Sequence, residues 1–275
     1  MRTRSLGAVA LCAALALSGC IDTATKLSVK TDGSGTIEKT IVISKTLVDF
    51  VENMGAKGDA TSIESGMVSE SSLKAEAAQM GSDVTFVSAQ KITTSKGNGY
   101  KALYSFKDVT KVKLNQNPAG DVTLPSSAGG AGGGAGQAAT AELVTFKFTK
   151  GTPAVLTIVS PKIQPSTSTA KAAQPQTSSA DAEQMMQALK PLYADLRIAL
   201  YVEVQGKISE TNATFVEGST VTLMDMDFGK ILADDAVFKK LAASQTQSVK
   251  EVQELVKTIP GVKLDMQENI TVTFR

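Results

Sequence analysis

Short runs in which apolar and polar side chains alternate, each closed by a glycine-bearing turn, recur along this chain of 275 residues. They constrain the fold more than any other feature. Lys26-Leu27-Ser28-Val29-Lys30 has a period of two, Asp32-Gly33-Ser34-Gly35 reads as a turn, and Thr36 to Ile43 returns as the partner strand. Val84 to Ile92 is expected to pair with Tyr100 to Phe106 across Lys96-Gly97-Asn98-Gly99, where Asn98-Gly99 is the turn signal. Leu143 to Phe148 and Ala154 to Val159 make a third hairpin around Gly151-Thr152-Pro153. Leu196 to Val204 is a mostly apolar strand bending at Gly206. Thr214 to Val216 and Val221 to Met224 flank Glu217-Gly218-Ser219 as a further hairpin, and Ile270 to Phe274 closes the chain as a strand. Strands joined by such tight turns are antiparallel neighbours, because a parallel pair needs a long crossover.

Helical spacing interrupts the strands. Ser44 is placed to cap a helix through Leu47, Phe50, Val51 and Met54, which Gly55 ends. Ser71 to Met80 reads as a second helix stopped by Gly81. Asp181 to Leu189, Ala236 to Leu241 and Gln247 to Thr258 follow, the last with Val249, Val252, Leu255 and Val256 in one stripe. The expected fold is α+β, mainly antiparallel β-hairpins with short helices packed on one sheet face.

Composition divides the chain. Residues 26–114 form a first α+β segment, 142–160 a β-hairpin, and 181–275 a second α+β segment that shares one core with the first. Between them lie a Gly-rich linker, 115–141, and a linker rich in Ser, Thr, Ala, Pro and Gln, 161–180. Gly55 to Ser72 is a third small, polar stretch. Such segments bury too little apolar surface to offset the entropy of ordering, so disorder is the expectation. The run Gly129 to Gly136 lacks the Gly-Lys-Ser/Thr ending of a phosphate-cradling loop.

The first residues set the location. Arg2 and Arg4 give a positive start, Leu6 to Leu17 is apolar but too short to span a bilayer, and small residues lead to Leu17-Ser18-Gly19-Cys20. This layout resembles the signal peptide and lipobox of bacterial lipoproteins. The resemblance implies a signal peptide over residues 1–19, cleavage between Gly19 and Cys20, and acylation of Cys20, palmitate being one such chain. Each buried methylene contributes about 0.8 kcal/mol, so two or three chains hold a protein firmly. Residues 20–25 then form the lipidated cysteine and a short tether. In enterobacterial lipoproteins an aspartate directly after the cysteine resembles an inner-membrane retention mark. Here Ile21 holds that position and Asp22 follows, which favours the outer membrane or cell surface if the cell has two membranes. An ordinary cleaved signal with an incidental cysteine is the alternative.

A second resemblance is looser. The lipobox, the strand-turn-strand Lys26 to Ile43, and the stretch Leu196 to Ile208 through Thr211-Asn212-Ala213, returning at Glu217-Gly218-Ser219, look like uncharacterised bacterial lipoproteins. They are similar to the LppM-like lipoproteins of mycobacteria. That likeness implies an envelope-anchored α+β domain with a lipid-like ligand, and it carries over no functional residues.

Absent residue types narrow the chemistry. Of the two cysteines, Cys12 lies in the signal and Cys20 at its end, so no disulfide forms within the mature chain. No histidine is present, which excludes Ser-His-Asp and Cys-His triads and histidine zinc sites. There is no tryptophan to stack a sugar or a base. Without Arg2 and Arg4 the counts are 26 basic against 27 acidic residues, a net of −1, so charge gives no case for nucleic acid. Neither a cofactor nor a metal is expected.

Four groups of residues have a sharper and a plainer reading. Asp225 and Asp227 sit two apart, so on a strand both carboxylates share a face. They are a metal or acid–base pair, or a solvated face with Met224, Met226 and Phe228 on the core side, the latter favoured. Asp234-Asp235 suits a helix start. Asn212-Ala213-Thr214 and Asn269-Ile270-Thr271 match the glycosylation pattern but suit turn and strand. Met185, Met186, Met224 and Met226 line an adaptable pocket or fill core. The expected function is a membrane-anchored envelope lipoprotein, a noncatalytic binding or assembly module whose partners are the membrane, another envelope protein or a lipid. A carrier of lipid or another apolar ligand is the first alternative. A glycan-active enzyme using carboxylates alone is the second, and it would place two acids in a cleft about 5–9.5 Å apart.

Overall fold

The computed structural model describes residues 21–46, 48–49, 69–116, 143–161, 196–233 and 258–275. Strand predominates among them. In chain order the elements are β1 (Ile21–Val29), β2 (Gly35–Ser44), α1 (Glu70–Met80), β3 (Thr85–Thr93), β4 (Gly97–Phe106), a 3-10 turn (Val109–Lys111) and β5 (Lys113–Asn115). They continue with β6 (Leu143–Thr149), β7 (Ala154–Val159), β8 (Leu196–Val204), β9 (Ile208–Thr211), β10 (Val216–Glu217) and β11 (Thr220–Asp227). Last come α2 (Phe228–Ala233), β12 (Val262–Leu264) and β13 (Asn269–Phe274).

Two sheets result. The larger runs β10-β11-β8-β1-β2-β4-β3, with β12 added along β11, and the smaller runs β5-β6-β7-β13-β9. All pairs are antiparallel except β1 with β8. Alternation decides which side faces inward. Leu27, Val29, Ile37, Ile41, Tyr104, Leu200 and Val202 of the larger sheet meet Phe146, Leu156, Ile158, Ile270, Val272 and Phe274 of the smaller in one core. A second, small cluster joins Ile231 of α2 to Ile259 and Val262.

This corrects the expected α+β fold with helices on one sheet face. The protein is β-rich, and a second sheet shares the core with the first. The helix expected at 71–80 is present as α1, capped by Ser69, whose hydroxyl accepts from the Ser72 amide at 3.2 Å. It packs by β3 and β5 on the core face of the larger sheet, a single helix next to the second sheet. Of the helix expected after Ser44, residues 45–46 and 48–49 are helical. Those at 181–189, 236–241 and most of 247–258 lie outside the described residues, as do both linkers except at their margins. The second sheet depends on β7 pairing with β13 in register from Asn269↔Val159 to Phe274↔Ala154. No local pattern announces a partner so distant in the chain.

The strand also starts earlier than its hydropathy indicates. Ile21 to Thr25, read as tether, pair with Ile43 to Lys39 on one side and Leu196 to Leu200 on the other. Thr23 and Thr25 break the apolar alternation yet are buried on the core side.

Turn chemistry is as expected at the first hairpin and different at the second. Gly33 takes φ +87, and Asp32 accepts from the amide and hydroxyl of Ser34 at 2.9 and 2.7 Å. In the second, Asn98 and Gly99 belong to β4, and the turn is closed at Thr94, whose amide donates to the Gly97 carbonyl at 2.8 Å. Gly99 is there for close approach, since a Cβ would fall 1.9 Å from the Ile41 carbonyl oxygen on β2.

Candidate functional site

The outward face of the larger sheet gathers charged residues where β1, β8 and β11 run side by side. Arg197 on β8 lies in register between Asp22 on β1 and Asp227 on β11. One step along, Ala199 faces Asp225. Tyr201 points the same way as Arg197 because strand side chains repeat every second residue. The small Ala199 leaves Asp225 room to sit between its two larger neighbours. Arg197 Nε and Nη2 donate to Asp225 Oδ1 and Oδ2, both at 2.9 Å. The Tyr201 hydroxyl donates to Asp225 Oδ2 at 2.9 Å, and Arg197 Nη2 also reaches the Tyr201 oxygen at 3.1 Å.

Electrostatics follow from this geometry. Burial alone would raise the proton affinity of Asp225, but the hydrogen bonds and charge of Arg197, with Tyr201, hold it below the ordinary carboxylate value. Asp225 in turn raises Arg197. Burial, then the Asp225 charge, pushes the Tyr201 phenol up. Asp22 goes the other way from Asp225. Burial raises it, helped by Asp225 and Asp227, and Arg197 only partly offsets this. A carboxyl shifted up beside one shifted down is the contrast that paired-acid catalysis uses. Here, however, both oxygens of Asp225 are already taken by Arg197 and Tyr201. The arrangement is a clamp across three strands.

Asp225 and Asp227 thus share a face, as their spacing requires, but serve separate partners. Asp227 Oδ1 accepts from the Lys230 amide at 3.2 Å, and its other oxygen lies 3.3 Å from Lys230 Nζ, so it caps α2. Met224 is buried in the core and Met226 packs against it. Met185, Met186, Asp234 and Asp235 lie outside the described residues. Among the described residues no group of three or more acids and cysteines is spaced to hold a metal.

The two Asn-X-Thr sequences are structural in place. Asn212 follows β9 and stitches it to β13. Its Oδ1 accepts from the Thr271 amide at 2.7 Å, and its Nδ2 donates to the Asn269 carbonyl at 3.0 Å and to Gln267 at 2.9 Å. Asn269 is the first residue of β13.

A second charged group sits inside. Lys39 points inward from β2 and is buried, and its ammonium meets the Glu76 carboxylate of α1. The Tyr104 hydroxyl on β4 donates to the other Glu76 oxygen at 2.5 Å. Burial, then Glu76, drives the Tyr104 phenol well above its ordinary range. Sequence reasoning missed this group and Arg197. The signal was parity: Lys39 occupies an inward slot between Ile37 and Ile41, and Arg197 interrupts an apolar strand.

Gly19 and Cys20 lie outside the described residues, and the described chain begins at the next residue, Ile21. No helix among the described residues is long and apolar enough to cross a membrane.

Comparison with known proteins adds little. No family model matches the chain. No curated protein matches it either. Among solved structures, the folded domain of the Mycobacterium tuberculosis LppM protein, determined by NMR, is similar at 9% identity and a TM-score of 0.33. The match covers 94% of this chain and 91% of that one.

Proposed function

We propose that this chain is a lipid-anchored bacterial envelope lipoprotein whose globular part is a noncatalytic binding or assembly module. One observation carries the reading: a positive start, a short apolar run and Leu17-Ser18-Gly19-Cys20, directly before the first paired residue of the sheet. Acyl chains on Cys20 join a β-rich body to a bilayer without a spanning helix. Three of the described carboxylates fit a noncatalytic body. Asp225 is held by Arg197 and Tyr201, Asp227 caps α2, and Glu76 is engaged by Lys39 and Tyr104.

Replacing Cys20 by Ala and following the protein through cell fractionation tests this. Loss of the membrane-bound pool is the expected result, and an unchanged pool overturns the reading. Crosslinking in intact cells then identifies the partner.

A further inference from the structure

We infer that the end of the larger sheet at Ile21, rather than either sheet face, lies against the lipid headgroups. The inference rests on the reading of Cys20 as the acylated residue and adds how the body stands on the membrane.

Three observations lead there. First, the anchor has no slack and is central. β1 is the fourth of the seven strands in the path, and pairing on both sides begins at its first residue, Ile21↔Ile43 and Ile21↔Leu196. Cys20 is one peptide away, about 3.8 Å between Cα atoms. Acyl chains therefore pull on the middle of the sheet's end.

Second, among the described residues neither face suits a bilayer. One is covered by the smaller sheet and α1. The other carries charges paired with one another: Lys26 with Glu203 at 3.5 Å, Lys101 with Glu38 at 3.1 Å, and Arg197 with Asp225. Its described residues form no apolar stripe of the kind with which a surface-lying element inserts. Among the described residues, the large exposed apolar ones, Val87, Leu143 and Val216, are scattered singly over β3, β6 and β10.

Third, the strand registers define two distinct ends. With Ile21 lie Lys45 after β2, the β3–β4 turn at 94–97, Arg197 at the start of β8, and Asp227 and Lys230 where β11 meets α2. With Val29, at the far end, lie the turn at Asp32 and the β10–β11 turn at Gly218. Nine residues of strand separate these ends by about 30 Å. Among the described residues at the Ile21 end, down to the level of Asp225 and apart from the Lys101–Glu38 pair, Lys45, Lys91, Lys96, Arg197, Lys230 and Lys263 outnumber Asp22, Asp49, Asp225 and Asp227, so anionic headgroups favour the same orientation as the tether.

The test uses the full-length lipidated protein carrying Ser95→Cys or Thr31→Cys, one exposed position at each end. Each thiol is labelled with a donor fluorophore, and the protein is placed in phosphatidylcholine vesicles with headgroup-labelled acceptor lipid. Energy transfer several-fold stronger from position 95 than from 31, and no weaker when phosphatidylglycerol is added, is the expected result. Equal transfer, or stronger transfer from 31, in protein that floats with the vesicles overturns the orientation while leaving the anchor intact. Protein that does not float overturns the reading of Cys20, and the orientation with it.

Discussion

Arg197 on β8 grips Asp225 on β11 through two parallel hydrogen bonds of 2.9 Å, and Tyr201 closes the same carboxylate from the other side. Charge-assisted bonds of this kind are worth about 1.5–3 kcal/mol when half-buried. Asp225→Ala is expected to lower the unfolding free energy by about 2 kcal/mol, measured by urea denaturation. Asp227→Ala, which removes a helix cap and an exposed lysine contact, is expected to cost about 1 kcal/mol. Equal costs would show that the clamp adds nothing beyond ordinary surface pairing.

Acid separates Asp22 from Asp225. The carboxyl of Asp22 is raised in the folded protein, so its contribution to stability is fully present below the unfolded value of 3.8 and lost as pH rises through the folded value. Asp22→Asn is therefore expected to stabilise the protein at pH 7, with the gain disappearing below 3.8. Asp225 is lowered, so its contribution is present above 3.8 and lost as pH falls through the folded value. Asp225→Asn is expected to destabilise at pH 7 and to matter less in acid. Urea midpoints of the three proteins at neutral and acid pH check both signs.

Beneath α1, the Glu76 carboxylate serves two buried partners at once. Glu76→Ala removes the carboxylate that meets both the buried Lys39 ammonium and the Tyr104 hydroxyl, at a cost of about 3 kcal/mol. The exposed pair Glu70–Lys74 on the same helix is expected to contribute about 0.3 kcal/mol. If Lys39→Met combined with Glu76→Gln unfolds at a higher urea concentration than Glu76→Ala alone, the cost lies in keeping the buried ammonium without the Glu76 carboxylate.

Asn212 links β9 to β13 with its side chain alone. Asn212→Ala leaves the Thr271 amide and Asn269 carbonyl without these partners, so about 1–2 kcal/mol of stability is expected to go. Faster hydrogen exchange confined to the Thr271 amide and its neighbours would show the effect to be local.

Much of the local structure was legible in the sequence, and the architecture was not. Alternation and turn residues gave the first hairpin, the pairing of β6 with β7, and the return at Gly218. Glycines misled once: Asn98-Gly99 has the composition of a turn, but Gly99 serves the close approach of β4 to the Ile41 carbonyl. The strands of the second sheet are legible one by one, but their assembly into a layer over the core, where helices are expected, is not, because β7 and β13 are joined only through long-range pairing. The site shows the same divide. Asp225 and Asp227 were visible from their spacing. Their separate roles depend on Arg197 and on α2, and the partnership of Lys39 with Glu76 exists only once α1 meets the sheet.

Mass spectrometry of the amino-terminal peptide, taken from protein purified out of the membrane fraction of its own cells, tests the central claim most directly. A peptide beginning at Cys20 and bearing fatty acyl chains is the expected result. A peptide that starts at Met1 with Cys20 unmodified would contradict the account.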